Sequence, residues 1–501
     1  MTGIISRKRG VSRKLGLPLI ADLAVIAVSL TMFNFVQPGF DLWIAIPTFI
    51  AVYGYIAVYF LSSIEVVRGI KIRLSLENAF VIFYYILFFW PYQKEILGIG
   101  GHYYYSYYIS NGYAGGANKA LLLSIAGLAA FHLGNVILSP RAVNPQRNHE
   151  PLRRYAIFDQ ALAIGMVLYF ALFIALDVAP DDLTRYRQAA NFVRADSSAA
   201  ANGAYLITIL LCLIGVARIV SQLHFGGRLL ARHWTIIAMT SFWMLFILVS
   251  GDRNNFLVIA IGAGGGVAAF LREIRWPLII AAIVPALIVY STIEVYRQAA
   301  DKSLAGLQQS FFDANSKEDD KSSFALTTLT VRATVDIAPT IEPYAMGYYK
   351  LVGFGGIVPF VRGFFIGKDA GFSDTSQVIQ YYILGPDAAW SLGSNPISDL
   401  YFDFGPIGVA AGLALLGYAA GAVRSFVIRK GPSSPRIFLY IATLAMMSEV
   451  PRYSLDFPVR IVVWGYLVFW LYEKLRPAAR LRERGLMADA SRPQHEILRH
   501  H

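Results

Sequence analysis

The sequence predicts an all-α integral membrane protein of about twelve transmembrane helices, with one long outer loop between the ninth and the tenth. Three observations predict it. Of the 501 residues, 56% are hydrophobic and 15% charged, against roughly 25% charged in soluble domains, and the mean hydropathy is +0.51. The apolar residues fall into runs near the ~20 residues that a bilayer core requires. Lys and Arg are distributed unevenly between the connections, as the positive-inside rule demands.

The runs lie near 17–36, 42–61, 74–90, 119–138, 157–178, 204–223, 234–250, 255–271, 276–295, 404–423, 436–449 and 458–473. The third, eleventh and twelfth are short for a span. The basic start "SRKRGVSRK" leads into the first run with no small-residue cleavage site, so the first helix is expected to be retained rather than cleaved. With the N-terminus inside, 28 of the 44 basic residues fall on the inner side, and eight of the other 16 lie in the long loop. Translocation of a loop that long is largely indifferent to charge. Twelve spans then place both termini in the cytoplasm. The chain divides into a nine-helix region (1–295), the long loop (296–403), three C-terminal spans (404–473) and a basic tail (474–501).

The single cysteine, Cys212, lies in an apolar run and excludes disulfides within the chain. No Cys cluster, H-x-x-x-H pair or Asp-x-Asp triplet occurs outside, so neither a metal nor a cofactor is expected. His132, alone in a span, reads as a hydrogen-bonded core residue. "GAGGG" (262–266) sits inside the eighth run, where it serves close helix packing rather than phosphate binding. The partners expected are a lipid bilayer and no nucleic acid.

The informative residues are on the outer face. "SGDRNN" places Asp252, Arg253, Asn254 and Asn255 at a tight turn between two apolar runs. Arg297, Arg332, Arg362, Arg452 and Arg460 lie on the same side, each on the face that topology disfavours for cations. Arginine forks onto phosphate oxygens, so together they point to an anionic ligand at the outer interface. Snorkelling to headgroups or pairing with nearby Asp and Glu is the alternative for any one of them. In the loop, "TTLTVRATVDIAPTIEPY" reads as helical up to Pro339, with Arg332 and Asp336 one turn apart. "DANSKEDDKSS" reads as polar and mobile. The Gly-rich "YYKLVGFGGIVPFVRGFFIGKD" reads as interfacial, and Asp399 and Asp403 are also i, i+4 if their stretch is helical. For those two carboxylates, capping or pairing with an arginine is the alternative to a chemical role.

Four patches resemble one family, the bacterial O-antigen, or oligosaccharide repeat-unit, polymerases. They are "SGDRNNFLVIAIGA", "VRATVDIAPTIEPYAMGYYKL", "IVPFVRGFFIGKD" and "SNPISDLYFDFGPIGVAAGLALLG", with support from "PRYSLD". The third patch departs from the family pattern, since Pro359 and Arg362 are not adjacent and no proline follows Lys368. The resemblance implies a metal-independent inner-membrane glycosyltransferase with its site facing the periplasm. Its substrates would be undecaprenyl-diphosphate-linked oligosaccharides, with a chain-length-regulating co-polymerase as a further partner. Negative charge builds on the departing lipid diphosphate, and fixed cations aimed at it lower the barrier. Arg253 is the leading candidate for that role, with Arg297, Arg332, Arg362 and Arg452 as co-ligands. The attacking hydroxyl needs a proton acceptor; Asp336 and Asp399 are the candidates, with Glu294 behind them. The tyrosines at 103–108 fit sugar stacking and an interfacial aromatic belt equally well.

Two rivals differ in residues. An O-antigen ligase would be expected to carry a histidine in the long loop, and 296–403 contains none. A flippase for lipid-linked sugars would line its spans with charge, whereas Asp22, Glu77 and Asp159 sit near the cytoplasmic ends of theirs. Another lipid-linked glycan transferase and a non-catalytic scaffold complete the alternatives.

Overall fold

A computed structural model describes residues 16–61, 64–67, 70–72, 75–97, 113–138, 152–175, 199–249, 253–275, 304–316, 323–358, 361–365, 371–386 and 392–475, with scattered positions between 277 and 296. These residues form helices and one small antiparallel hairpin. The helices are α1 (Gly16–Phe35), α2 (Leu42–Leu61), α3 (Leu76–Phe88), α4 (Trp90–Leu97), α5 (Ala117–Ile137), α6 (Ala156–Ala175), α7 (Ala199–His224), α8 (Ala231–Val249) and α9 (Arg253–Phe270). They continue with α10 (Leu304–Ser316), α11 (Ser323–Ile337), α12 (Tyr348–Gly355), α13 (Arg362–Phe365), α14 (Thr375–Leu384), α15 (Pro396–Lys430), α16 (Ser434–Glu449) and α17 (Asp456–Leu475). The hairpin pairs β1 (Ile64–Val67) with β2 (Ile70–Ile72), in a stretch that the sequence marks only as a connection.

Among the described residues, seven helices are long and apolar enough to cross a membrane: α1, α2, α5, α6, α7, α8 and α15. This fits an α-helical membrane protein and is fewer than twelve. At 1.5 Å per residue, the 13 residues of α3 cover about 20 Å, short of the ~30 Å hydrocarbon core. Helix α9 is likewise a shorter apolar helix, and the run at 276–295 lies mostly outside the described residues. Leu17, Ile20, Leu23, Trp43, Ile46, Ile50 and Leu168 are exposed along the sides of the bundle. Such a surface is costly in water and satisfied by lipid.

Helix α16 sits inside the bundle, with nearly every residue buried. Helices α5 and α15 pack closely because glycines let the backbones approach: a Cβ on Gly134 would fall 1.9 Å from the Ala414 carbonyl oxygen, and one on Gly417 2.0 Å from that of Phe131. The helix at the tenth apolar run begins earlier than the sequence suggests. Asn395 caps α15 through its side-chain oxygen, which accepts from the N–H groups of Ile397 and Ser398. Pro396 fits the first turn, where no N–H is needed. Residues 396–403, expected in the loop, are therefore the first turns of α15. The axis breaks at Gly405, whose φ of 67° and ψ of −163° suit glycine, followed by Pro406.

The polar contacts sort to two ends of the bundle. At one, the tail end, buried charges are matched. Arg218 Nε is 2.7 Å from Asp159 Oδ1, and His233 Nε2 is 3.2 Å from Asp159 Oδ2. His233 Nδ1 accepts the Leu230 N–H at 2.9 Å, which fixes the proton on Nε2. Arg424 binds Glu77, whose Oε1 also takes Asn135 at 2.8 Å. His132 is a hydrogen-bonded core residue, 2.8 Å from Asp22, which also accepts from Tyr55 at 2.9 Å. At the opposite, loop end lie the α1–α2 turn, α4, the start of α5, α11–α14, the start of α15 and the α16–α17 turn.

Candidate active site

Helix α11 carries threonines at 330 and 334 that fasten it to the start of α15. Asn395 Nδ2 donates to Thr330 Oγ1 at 2.8 Å, and Thr334 Oγ1 donates to Ser398 Oγ at 2.8 Å. One face of α15 thus meets α11. The adjoining face presents Asp399 and Asp403, one turn apart.

Those two carboxylates gather the loop. Lys350 Nζ is 2.5 Å from Asp399 Oδ2 and 3.7 Å from Asp403 Oδ2. Asp403 also accepts the N–H groups of Tyr349 and Lys350, each at 3.0 Å, and so caps the first turn of α12. Asp399 accepts from Thr375 Oγ1 at 2.8 Å and from the Leu455 N–H at 3.3 Å. It therefore joins α12, α14, α15 and the α16–α17 turn. Its lone pairs are committed to these donors, which suits anchoring better than proton transfer. The partner of the pair is a lysine rather than an arginine.

Arg332 and Asp336 lie one turn apart on α11, as the sequence indicates, but face different neighbours. Arg332 is 3% exposed, lies 4.4 Å over the Tyr92 ring, donates to Tyr92 Oη at 3.2 Å and pairs with Glu95 at 3.0 Å. Its charge is already matched inside the protein. Asp336 faces the Tyr113–Gly116 turn. Burial pushes its carboxyl up to about 6; the Gly116 N–H and the Lys119 ammonium pull the other way. Asp336 Oδ2 is buried with no hydrogen-bond partner.

On a third side, Arg452 Nη1 donates to Asn254 Oδ1 at 2.5 Å, and Asn254 Nδ2 donates to Tyr453 Oη at 3.3 Å. The polar turn at the start of α9 and the "PRYSLD" segment are thereby brought together across 198 positions of sequence. Asn254 serves this contact with Arg452 rather than buttressing Arg253. Arg253 opens α9 and Arg362 opens α13; their side chains, like Asp252, Glu294, Arg297, residues 317–322 and the tyrosines at 103–108, lie outside the described residues. Arg460 pairs with Asp456 at 3.2 Å on its own helix.

Four participants escape a reading of the sequence: Lys350, Lys119, the Tyr92–Glu95 pair and the Gly115–Gly116 turn. For Lys350 there was a signal, since two carboxylates one turn apart call for a cation. For the rest the partner is too far away in sequence to be read. No group of three or more His, Cys, Asp or Glu side chains that could hold a metal occurs among the described residues. Comparison of the chain with protein-family models, curated proteins and solved structures gave no match.

Proposed function

We propose that this chain is a periplasm-facing, metal-independent glycosyltransferase that polymerises undecaprenyl-diphosphate-linked repeat units into O-antigen or a related surface polysaccharide. In this reading it lies in the bacterial inner membrane with twelve spans and both termini cytoplasmic. The observation that carries it is chemical. At one end of an apolar helical bundle, Arg452 is tied to Asn254 at the start of α9, Lys350 ties the long loop to Asp399 at the start of α15, and Asp336 on α11 is a carboxyl pushed up to about 6 by burial.

The chemistry follows. The acceptor hydroxyl oxygen forms a bond to the anomeric carbon of the donor. The bond from that carbon to the phosphate oxygen breaks, and its electron pair leaves with the lipid diphosphate. The hydroxyl proton passes to Asp336, which is ionised above about pH 6; a base whose pKa lies near the working pH is the efficient choice. Arg253, with Arg452 held beside the start of its helix by Asn254, meets the charge on the leaving group. Arg297 and Arg362 belong to the same side by topology. Arg332 and Asp399 hold the frame.

Deleting the gene in its host and running the surface polysaccharide on a gel tests this reading. Loss of the ladder with single repeat units retained supports it. A ladder left on the lipid carrier means a ligase, and loss of all repeats means a flippase. The Arg253→Ala variant should be present in the membrane and make no polymer, a loss of about 2–4 kcal/mol of barrier lowering. Wild-type chain lengths from that variant remove Arg253 from the mechanism.

A further inference from the structure

Three helices form a trough on the side of the bundle. The buried helix α16 packs against both α15 and α17, and the space left between the three holds about 440 Å³. Phe426 of α15, Leu439 of α16 and Val463, Leu467 and Trp470 of α17 line it, and every lining side chain is apolar or aromatic. Positions 463, 467 and 470 follow the i, i+4, i+7 spacing of one helical stripe. At 1.5 Å per residue, the wall from Val462 to Trp470 runs for about 12 Å. Phe426, Val463, Leu467 and Trp470 are exposed, so the trough opens sideways, where an apolar surface is satisfied by lipid.

The tail end of the trough is cationic on all three helices. One turn beyond Phe426 come Arg429 and Lys430, the last residues of α15. One turn beyond Leu439, in the first turn of α16, is Arg436, which donates to Ser433 Oγ at 2.8 Å and to the Gly431 carbonyl at 2.5 Å. One turn beyond Trp470 is Lys474, whose ammonium lies 6.0 Å over the Trp470 ring. Residues three or four apart share a helix face, so each cation continues a stripe that lines the trough. Within 425–439 and 461–475 the only acidic residue is Glu473. It is engaged elsewhere, pairing with Arg154 at 3.0 Å and accepting from Tyr155 Oη at 2.8 Å. Arg429 and Lys474 are exposed and make no ion pair among the described residues.

An apolar trough that ends in cations matches a hydrocarbon chain that ends in a phosphate. Basic pockets between helices at the membrane surface select anionic headgroups. Trp470 stands at the junction, the level that amphipathic rings take between hydrocarbon and headgroups. We infer that the trough between α15, α16 and α17 binds one anionic phospholipid, with an acyl chain along Val463, Leu467 and Trp470 and the phosphate among Arg429, Lys430, Arg436 and Lys474. The site is at the opposite end of the bundle from the candidate active site and does not depend on the polymerase reading.

The test is native mass spectrometry of the purified full-length protein, stripped of lipid in detergent and titrated with dioleoyl phosphatidylglycerol or dioleoyl phosphatidylcholine. One phosphatidylglycerol should be retained, about tenfold or more tighter than phosphatidylcholine. Arg429→Gln with Lys474→Gln should erase that preference. Leu467→Trp, which fills the trough and leaves its cations in place, should lose the bound lipid. Arg272→Gln with Arg275→Gln, two exposed cations just past the end of α9, should change nothing. Equal affinity for the two lipids, an equal loss in the Arg272 and Arg275 variant, or full retention in Leu467→Trp overturns the site. So does a wild-type protein that light scattering shows as a dimer and Leu467→Trp as a monomer, because a second copy then fills the trough.

Discussion

The two ends of the bundle treat charge in opposite ways. At the tail end, Asp159, Arg218 and His233 are each at most 2% exposed, with Arg218 and His233 both bonded to Asp159, and buried Glu77 and Arg424 pair across α3 and α15. At the loop end, Asp336 Oδ2 is buried without a hydrogen-bond partner, as Glu77 Oε2 is at the tail end, and Lys119 has no ion pair among the described residues. A buried charge costs several kcal/mol unless it is matched, so a matched cluster is what a scaffold needs. An unmatched one persists where a ligand completes it. On the proposed function, the paired charges of the tail end are architecture and the loop end carries the chemistry.

The largest effect should come from breaking the matched end. Arg218→Ala leaves the buried Asp159 without its guanidinium partner, and the expected loss is about 3–5 kcal/mol. Size-exclusion profiles of the detergent-solubilised variant after stepwise heating check this. A monodisperse variant with wild-type heat resistance and no polymer would move chemistry to the tail end and reverse the comparison.

Next comes Asp336→Asn, which keeps the shape of the side chain and removes the base. Polymerisation should fall by roughly 10²–10⁴-fold with the fold intact. The wild-type rate in proteoliposomes should drop as pH falls through about 6, where the carboxyl takes up its proton. The same carboxyl has a raised folded pKa, so its ionisation lowers stability as pH rises through that value; the asparagine variant should lose that dependence. A rate that is flat from pH 5 to pH 8, within about twofold, would exclude Asp336 as the base.

How much of this was legible in the sequence follows from range. Helix periodicity and apolar run length are local, so the helical class, the helix ending at Pro339 and the i, i+4 spacing of Asp399 and Asp403 could be read directly. The number of spans could not, because α3 is apolar enough and too short, and α16 is apolar because protein surrounds it. The start of α15 was missed because residues 396–403 are polar; Asn395 and Pro396 are a capping signal that hydropathy ignores. Which charge meets which is non-local. Arg332 looked free until Tyr92 and Glu95, more than 230 positions away, closed on it.

Lys350 marks the boundary between the two kinds of cluster. It lies at the loop end, yet it is matched to two buried carboxylates. Lys350→Met should cost about 2–4 kcal/mol, below the figure for a fully buried pair because the ammonium retains some solvent. Adding Asp399→Asn should return part of that loss, since fewer bare charges remain. If the double variant is as heat-labile as the single one and Asp399→Asn alone is inactive but stable, Asp399 is a chemical group and the anchor reading is wrong.

The smallest effect is expected at Arg460. It belongs to the outer arginines by topology, but its guanidinium pairs with Asp456 at 3.2 Å, one turn away on α17, and both side chains are 22% exposed. An exposed i, i+4 pair contributes about 0.3–0.5 kcal/mol, so Arg460→Ala should leave heat resistance within a degree or two and chain length unchanged. Arg452, eight positions earlier, is tied to Asn254 at the start of α9, where the proposed function puts the leaving group. The two arginines therefore form a control within one segment. If Arg460→Ala abolishes polymer while Arg452→Ala spares it, the anionic ligand sits along α17, and the loop-end cluster around Asn254 loses its assigned role.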